Sequence, residues 1–418
     1  MVPNGWSENI LSDLCEKIGV GLAISVTPYM RKAGTKLIRN QNIKRNYFNS
    51  KSVVYIDDDF AEKNQSKRVY VGDVVAVRTG SNIGEACVVP KEFDGALTFT
   101  TLIARPIPSK LSSEYLGLHI NSEKGISEVN RLMAGGGKPN LNSGELKKYK
   151  LLTPTIEEQR KIASILGTWS KAINTTERLI GISKQQKKAL MQQLLIGRKR
   201  LLDDSDKPFS DGWNKITMET ICCRVIEKNN KKSKNVVTIS AQHGLIRQQD
   251  YFKKVIASET LDNYFILRKG QFAYNKSYSN GYPMGAIKRL NRYEDGVVTS
   301  LYICFDIVDV SKTDPNFLEH YFESGLLNRG LTRVAAEGGR AHGLLNVKPS
   351  DFMALELVIP CYHEQQKIAA ALTISDKEIE LLENQVSQLK QEKKALMQQL
   401  LTGKKRVIIN IEDKEVAC

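Results

Sequence analysis

The sequence has no apolar run approaching the roughly 18 residues that cross a bilayer, so no membrane-spanning helix is expected. Its first residues, MVPNGWSENILSDL, lack the basic and then apolar layout of a signal peptide. Seven cysteines are an odd number, and none stands in a CxxC spacing, which is typical of reduced thiols and not of a disulfide framework. A cytoplasmic location is therefore the expectation.

Motifs for several kinds of chemistry are also missing. Five histidines without HxxxH or CxxH spacing argue against a dedicated zinc site, and no metal ligand is predicted. The absence of GxxxxGK[ST] excludes a P-loop ATPase, and no Asn-Pro-Pro-Tyr-type motif of adenine methyltransferases occurs. No nucleophile–base set stands out, so no catalytic residue is predicted. The acidic run Asp57-Asp58-Asp59 has no match elsewhere in the chain and is interpreted as a solvated turn.

What the chain does have is a surplus of positive charge. Its 418 residues carry a formal net charge of +15, with a pI near 9.3, on an ordinary globular composition of 41% apolar and 26% charged residues. A surplus of this size favours a polyanionic partner, of which nucleic acid is the commonest. A generally basic surface or an acidic protein partner is the alternative.

An internal duplication organises the sequence. KKALMQQLLIGRKR at 187–200 returns as KKALMQQLLTGKKR at 393–406, and PTIEEQRKIASIL at 154–166 returns as PCYHEQQKIAAAL at 360–372. Weaker matches precede both segments, such as GDVVAVRTGSNIGEACVV with GQFAYNKSYSNGYPMGAI. These matches predict two variable globular domains of mixed α/β content, each followed by a matched helix. The predicted parts are a first domain at 1–153, a helix at 154–200, a linker at 201–212, a second domain at 213–359, a helix at 360–406 and a tail at 407–418.

Both matched segments carry an apolar seam whose steps alternate between four and three residues, the spacing of a coiled coil. The predicted interface consists of Ile162, Leu166, Trp169, Ile173, Ile180, Leu190 and Leu194 in the first helix and Ile368, Leu372, Ile379, Leu382, Val386, Leu389, Leu396 and Leu400 in the second. Two similar stripes in one chain predict a long antiparallel pair joining two globular domains about a pseudo-two-fold axis. The alternative is that each helix packs only on its own domain.

Polar turns recur at corresponding places in the two copies. Arg and Lys suit guanine and phosphates, Asn and Gln suit adenine, and hydroxyl and glycine N–H groups suit phosphates. On a basic protein these turns predict DNA contact by Arg39, Asn40, Gln41, Arg78, Thr79, Ser81, Asn82, Gly136, Lys138 and Asn140 in copy one, and by Ser240, Gln242, His243, Lys276, Ser277, Tyr278, Asn280, Gly339, Arg340 and His342 in copy two.

Unlike side chains at matching turns imply two different half-sites, and helices of about 60 Å could hold these half-sites at a fixed separation. This is a ruler hypothesis. It predicts that inserting whole heptads in both helices changes the spacing between the half-sites. An unchanged spacing in the recognised DNA sequence would contradict it.

The PxxxEQ(R/Q)KIA start, the long helix and the KKALMQQLLxGKKR-like end resemble the conserved regions of type I restriction–modification specificity subunits, known as HsdS. GDVVAVRTGSNIG and AGGG…LN resemble elements of their target-recognition domains. The resemblance covers nearly the whole chain and implies a phage-defence role as the non-catalytic subunit that binds a bipartite, asymmetric target in double-stranded DNA. It also implies docking of two methyltransferase (M) subunits on the paired helices and of motor–nuclease (R) subunits beyond. S-adenosylmethionine, ATP and magnesium would belong to those partners.

Three other functions stay open on the sequence alone. A stand-alone nuclease or methyltransferase would be active as the purified chain, although the motifs for either are missing. A coiled-coil scaffold that binds only protein explains the helices but not the duplicated basic turns. A specificity module of a related phage-defence DNA methyltransferase differs mainly in its neighbouring genes.

Overall fold

The computed structural model describes residues 2–133, 140–251, 261–335 and 345–409. The chain divides into two compact units that do not follow the order of the sequence. Unit 1 combines the residues up to Glu177 with those from Asn384 onward, and unit 2 is Arg178–Glu383. Each long helix is therefore shared between the units. The linear division into six parts stays a prediction.

Unit 1 holds a four-stranded antiparallel sheet in the order β2-β11-β8-β9 and a second sheet in the order β10-β4-β7-β3. The strands are β1 (Ser7–Ile10), β2 (Cys15–Val20), β3 (Met30–Arg31), β4 (Thr35–Ile38), β5 (Ile43–Lys44), β6 (Tyr47–Phe48), β7 (Val54–Ile56), β8 (Val74–Val77), β9 (Ala86–Val88), β10 (Leu97–Thr98), β11 (Thr101–Pro106) and β12 (Lys150–Thr153). The helices are α1 (Asp58–Lys63), α2 (Ser113–Ile120), α3 (Glu123–Met133), α4 (Ser143–Lys147) and the first part of α5 (Ile156–Leu194).

Strand β8 shows why the first sheet is buried on both faces. All four of its residues are buried, and successive side chains of a strand point to opposite faces. Val74 and Ala76 join the apolar cluster that contains residues of α2 and α5, whereas Val75 and Val77 join a separate cluster around Ile38. The continuous apolar run in the sequence is thus that of a central strand with apolar layers on both sides.

Unit 2 repeats this design around the antiparallel sheet β14-β21-β18-β19. The strands are β13 (Asn214–Thr217), β14 (Cys222–Arg224), β15 (Val237–Ser240), β16 (Gly244–Arg247), β17 (Phe265–Arg268), β18 (Phe272–Asn275), β19 (Ala286–Arg289), β20 (Asp295–Val298), β21 (Ile303–Ile307) and β22 (Glu356–Ile359). The helices are α6 (Met218–Ile221), α7 (Gln248–Tyr251), α8 (Pro315–Glu323), α9 (Asn328–Ala335), α10 (Pro349–Met353) and the first part of α11 (Tyr362–Leu400). Phe272 and Ala273 again enter different apolar clusters.

The two long helices pair antiparallel within each unit, as predicted. In unit 1, Lys393 Nζ donates to Ser170 Oγ at 2.7 Å and Lys390 Nζ lies 2.6 Å from a carboxylate oxygen of Glu177. In unit 2, Lys187 pairs with Asp376 and Lys184 with Glu383. In both units the partner numbers fall along one helix as they rise along the other.

The predicted seam side chains are all buried or half-buried. The half-buried members are Trp169, Ile180, Leu190, Leu382, Leu389 and Leu396, and the other nine are buried. The prediction of paired helices joined to mixed α/β domains is confirmed, and the idea that each helix packs only on its own domain is wrong.

Each long helix ends in the core of the unit that it does not begin in. Helix α5 begins in unit 1, yet Met191, Leu194 and Leu195 lie in the main apolar cluster of unit 2. Helix α11 begins in unit 2, and its equivalents Met397, Leu400 and Leu401 lie in the main cluster of unit 1.

Glycine closes both helices in the same way. Gly197 and Gly403 both have φ +69°, the left-handed conformation that a residue with a Cβ rarely adopts. A Cβ on Gly197 would lie 3.2 Å from the Trp213 ring, and one on Gly403 would lie 2.5 Å from Pro3. These glycines therefore also allow the start of each globular domain to pack against a helix end.

The acidic run Asp57–Asp59 differs from its prediction. Asp57 is the N-cap of α1, where its Oδ1 accepts from Phe60 N at 3.0 Å, and the other two carboxylates lie in the first turn. Acidic groups stabilise a helix at this end because the unpaired N–H groups there carry partial positive charge. Across the described ranges, no group of three or more His, Cys, Asp or Glu could hold a metal ion, and no helix is long and apolar enough to span a membrane.

Candidate nucleic-acid interface

In unit 1 the structure brings together the polar turns singled out in the first copy. Asn40 Nδ2 donates to Thr79 O at 3.4 Å, and Arg78 Nε donates to Asn140 Oδ1 at 3.2 Å. Thr79 and Asn140 also form an isolated β-bridge. Residues that are far apart in the sequence thus meet within unit 1.

These residues differ in how accessible they are. Gln41, Thr79, Ser81, Asn82 and Asn140 are exposed. Arg39, Asn40 and Arg78 are half-buried, and the Nε of Arg39 and the Oδ1 of Asn40 have no hydrogen-bond partner in the described part of the chain. Gly136 and Lys138 lie outside the described residues. The exposed amides and hydroxyls, with Arg78 between them, are the groups placed to meet a ligand.

The turn that carries Arg39 is held by its own side chains. Asn42 is buried, its Oδ1 accepts from Arg39 N at 3.0 Å, and its Nδ2 donates to Asn49 O at 2.9 Å. Asn49 Nδ2 in turn donates to Gln41 O at 3.4 Å. This turn is therefore fixed to the β5–β6 hairpin that follows it, which limits the rearrangement needed on binding.

In unit 2 the predicted residues lie in two places. Lys276 Nζ donates to Val347 O at 3.4 Å, Tyr278 is 64% exposed and Asn280 is exposed. Ser277 is half-buried, with its N–H on Asn275 Oδ1.

The other place is the turn between β15 and β16. Gln242 and His243 are exposed there and line a cleft with Lys288 and Arg289, while Ser240 is buried and its Oγ accepts from His243 N at 3.2 Å. Gly339, Arg340 and His342 lie outside the described residues.

One hydrogen bond occurs at matching positions in both copies. Leu141 N donates to Arg78 O at 3.2 Å, and Leu345 N donates to Lys276 O at 2.9 Å. In each unit a leucine that follows the glycine-rich sequence therefore bonds the turn that carries the basic residue. The backbone arrangement is repeated while the side chains differ, as expected of two readers of unlike sequences.

Sequence reasoning missed the polar groups that join each domain to its helix. Glu158 and Gln159 are each 1% exposed, and Glu364 and Gln365 are 0% and 1% exposed. Gln159 accepts from Ser112 N and Gln365 accepts from Asp314 N, both at 2.9 Å, at the N-caps of α2 and α8. The signal was the Glu-Gln pair shared by both helix starts, since a polar pair kept in both copies has a specific partner.

The two buried carboxylates have matching partners. Arg406 donates to Glu158 through Nε and Nη2, both at 2.7 Å, and Arg200 donates to Glu364 through the same atoms at 2.8 and 2.5 Å. The carboxylates raise the pKa of both guanidinium groups, mainly through these hydrogen bonds. In each unit the end of one long helix is tied to the start of the other.

Comparison with known proteins agrees with this architecture. The family model described as "Type I restriction modification DNA specificity domain" matches residues 3–183. The putative type I restriction enzyme MjaX specificity subunit of Methanocaldococcus jannaschii is 22% identical, over 97% of this chain and 95% of its own. The MjaVIII specificity subunit of the same organism is also 22% identical, over 86% and 87%.

A solved structure shows the same fold. The S subunit of a type I restriction–modification system from M. genitalium has a TM-score of 0.58 at 12% identity, over 96% of this chain and 98% of its own. The duplicated domains, the antiparallel helices and relatives that span almost the whole length agree with one another. The chain is thus similar to type I restriction–modification specificity subunits, by a family model over residues 3–183 and by relatives over almost its whole length.

Proposed function

We propose that this chain reads the DNA sequence for a type I restriction–modification enzyme, with one half of a bipartite, asymmetric target bound by each globular domain. The repeated bond from Leu141 to Arg78 and from Leu345 to Lys276 carries the proposal. It sets a leucine that follows a glycine-rich sequence against a basic turn in each unit, with different side chains at the two turns. A protein scaffold has no need of this duplicated basic arrangement.

The chain contributes recognition and assembly rather than catalysis. The paired helices supply the docking surface for two methyltransferase subunits and the spacer between the half-sites, and motor–nuclease subunits join that complex. The chain needs no cofactor of its own, because S-adenosylmethionine, ATP and magnesium serve the partner subunits.

Methylation mapping tests the function directly. The chain is co-expressed with the adenine methyltransferase encoded beside it, in a host without adenine methylation, and methylated sites are read by sequencing. We expect a split motif with two unlike halves and a fixed gap that disappears without this chain. A soluble complex that adds no methylation contradicts the proposal and favours a scaffold.

Two matched substitutions assign the half-sites in the same assay. Arg78→Ala removes terminal guanidinium nitrogens that are suited to guanine. A contact of this kind discriminates between bases by about 1–3 kcal/mol. The base preference at one position of one half-site should therefore relax about 5- to 150-fold. Lys276→Ala, at the matching turn, relaxes a position only in the other half-site. Relaxation of the same half by both variants contradicts one reader per domain.

A further inference from the structure

A basic cleft lies within unit 1 beside the predicted DNA-contact turns. The cleft, here called cleft 1, has a volume of about 990 Å³ between the β5–β6 hairpin, the start of α3, and the unit 1 parts of α5 and α11. Two acidic side chains, Glu123 and Glu177, face it. The basic side chains that line it are Arg45, Lys124, Lys390, Lys393, Lys394 and Lys404. The side chains that line cleft 1 therefore carry an excess of four positive charges, of which Arg45 also pairs with Glu85 outside the lining at 3.3 Å.

The lysines of cleft 1 are only partly neutralised by the protein. Lys390 pairs with Glu177 at 2.6 Å and Lys394 with Glu123 at 2.9 Å, but each of these side chains is about half exposed. Such pairs contribute little and exchange readily for another anion. Within the described ranges, Lys124 and Lys404 have no carboxylate within 4.0 Å, so charge remains for a ligand.

Lys393 is the most buried cation of the cleft. Its Nζ donates to the neutral Ser170 Oγ at 2.7 Å, and burial lowers the pKa of its ammonium group. A partly buried ammonium group with a hydroxyl partner gains more from an approaching anion than an exposed one, because less water screens the interaction.

The corresponding cleft of unit 2 acts as an internal comparison. Cleft 2, with a volume of about 550 Å³, is lined by Lys187 at the position that matches Lys393. Asp376 and Glu380 stand there where cleft 1 has Ser170 and Asn174. Lys187 pairs with Asp376 at 2.5 Å.

Charge in cleft 2 is balanced overall. The charged side chains that line it are Lys187, Lys288, Arg289, Arg292, Glu319, Glu323, Asp376 and Glu380. Two more ion pairs, Lys288 with Glu323 and Arg289 with Glu319, lie among them. One duplicated architecture therefore carries two clefts of unlike charge.

We propose that cleft 1 binds backbone phosphates of the DNA next to the first half-site, and that cleft 2, where Gln242 and His243 are the predicted DNA contacts, does not bind phosphates. This inference rests on the proposed function. The β5–β6 hairpin that brings Arg45 to cleft 1 follows the turn of Gln41 directly, and four residues span at most about 14 Å. A DNA strand covers that distance in about four nucleotides, so one duplex can reach both places.

The lysines on helix α11 would thus add affinity without reading sequence. Phosphate contacts position a protein on DNA and carry no base information. They also release counterions, so each one steepens the dependence of binding on salt by about 0.9 in a double-logarithmic plot. The salt dependence of binding therefore distinguishes the phosphate contacts of cleft 1 from the base contacts of the turns in an experiment.

The test converts cleft 1 to the charge pattern of cleft 2. The double variant Ser170→Asp with Asn174→Glu takes its side chains from matching positions of this chain, and the carboxylate introduced in place of Ser170 can pair with Lys393 as Asp376 pairs with Lys187. Binding of a target duplex to the complex with the methyltransferase is measured over a range of salt concentrations. We expect the salt slope to fall by about 2 and the preference for target over non-target DNA to stay unchanged.

A charge-matched control excludes a general effect of net charge. Thr168→Asp with Thr175→Glu adds the same charge at exposed positions of the same helix that do not line cleft 1, and its slope should stay near that of the unaltered protein. An equal fall in the control, or no fall in the cleft variant, overturns the inference. If the unaltered complex shows no preference for target DNA, the proposed function itself fails.

A second experiment distinguishes binding of DNA phosphates from binding of a free polyphosphate. Tripolyphosphate is titrated without DNA against the unaltered complex and the cleft variant. Binding that only the unaltered complex shows, together with an unchanged DNA slope, assigns cleft 1 to a free anion and overturns the DNA assignment. A changed DNA slope supports the inference whether or not tripolyphosphate binds.

Discussion

Leu400→Ala should destabilise the N-terminal globular domain by about 3 kcal/mol, although Leu400 lies near the far end of the sequence. Leu400 is 2% exposed in the main apolar cluster of unit 1, with Trp6 and Leu166. Removing a buried leucine side chain costs about 2–5 kcal/mol, because apolar contact is lost and a cavity remains. The matching change Leu194→Ala should act on unit 2, since Leu194 is buried in that core.

Hydrogen exchange read peptide by peptide distinguishes these effects. Leu400→Ala should raise exchange in β2, β8 and β11, and Leu194→Ala should raise it in β14, β18 and β21. Leu381→Ala is the control, because Leu381 is 69% exposed on α11 and its loss should change stability by less than about 0.5 kcal/mol. Unchanged exchange in β2, β8 and β11 after Leu400→Ala would show that helix α11 does not complete the core of unit 1.

Arg200→Ala should cost about 3 kcal/mol of unfolding free energy, because it leaves the fully buried carboxylate of Glu364 without its charged partner. Arg406→Ala removes the matching partner of Glu158 and should cost less. The Arg406 side chain is 47% exposed and that of Arg200 is 27% exposed, so solvent screens the first pair more. Thermal and denaturant unfolding, followed with probes in each unit, measures both effects.

A double variant separates the contribution of the ion pair to stability from the contribution of side-chain packing. Arg200→Met with Glu364→Met removes both charges together, so it should recover most of the stability lost in Arg200→Ala. Arg200→Lys should recover only part, since a lysine cannot form the two parallel bonds of the guanidinium group. If Arg200→Ala proves neutral, the pair does not hold the helix end to the domain.

The long helices were predictable because their signal is local. The seam from Ile368 to Leu400 repeats at regular steps, and the glycines that end both helices have φ +69° as a left-handed cap requires. A repeated seam also identified its partner, since the same stripe occurs only twice in the chain. Antiparallel pairing then followed from the need for the chain to return through a globular domain.

The exchange of helix ends between cores could not be predicted in the same way. A pattern shows that Leu194 and Leu400 are apolar and in phase, but not which core receives them. Cleft 1 was missed for a similar reason, because Lys124 and Lys393, the latter a polar position of the seam, line one cleft only through packing. The turns of Arg39 and Arg78 were found from their residue types alone, and whether they contact DNA stays a prediction.

The exchange of helix ends also sets the order in which the protein can fold during synthesis. All residues of unit 2 have been synthesised once Glu383 is made. The core of unit 1 and its ion pair also require Leu400, Leu401 and Arg406, which are made long after Glu177. At about 5–20 residues per second, that delay is roughly 10 to 50 s. The N-terminal half of the nascent chain is therefore the last to be completed, and its apolar surface lacks its helix α11 partners for that time.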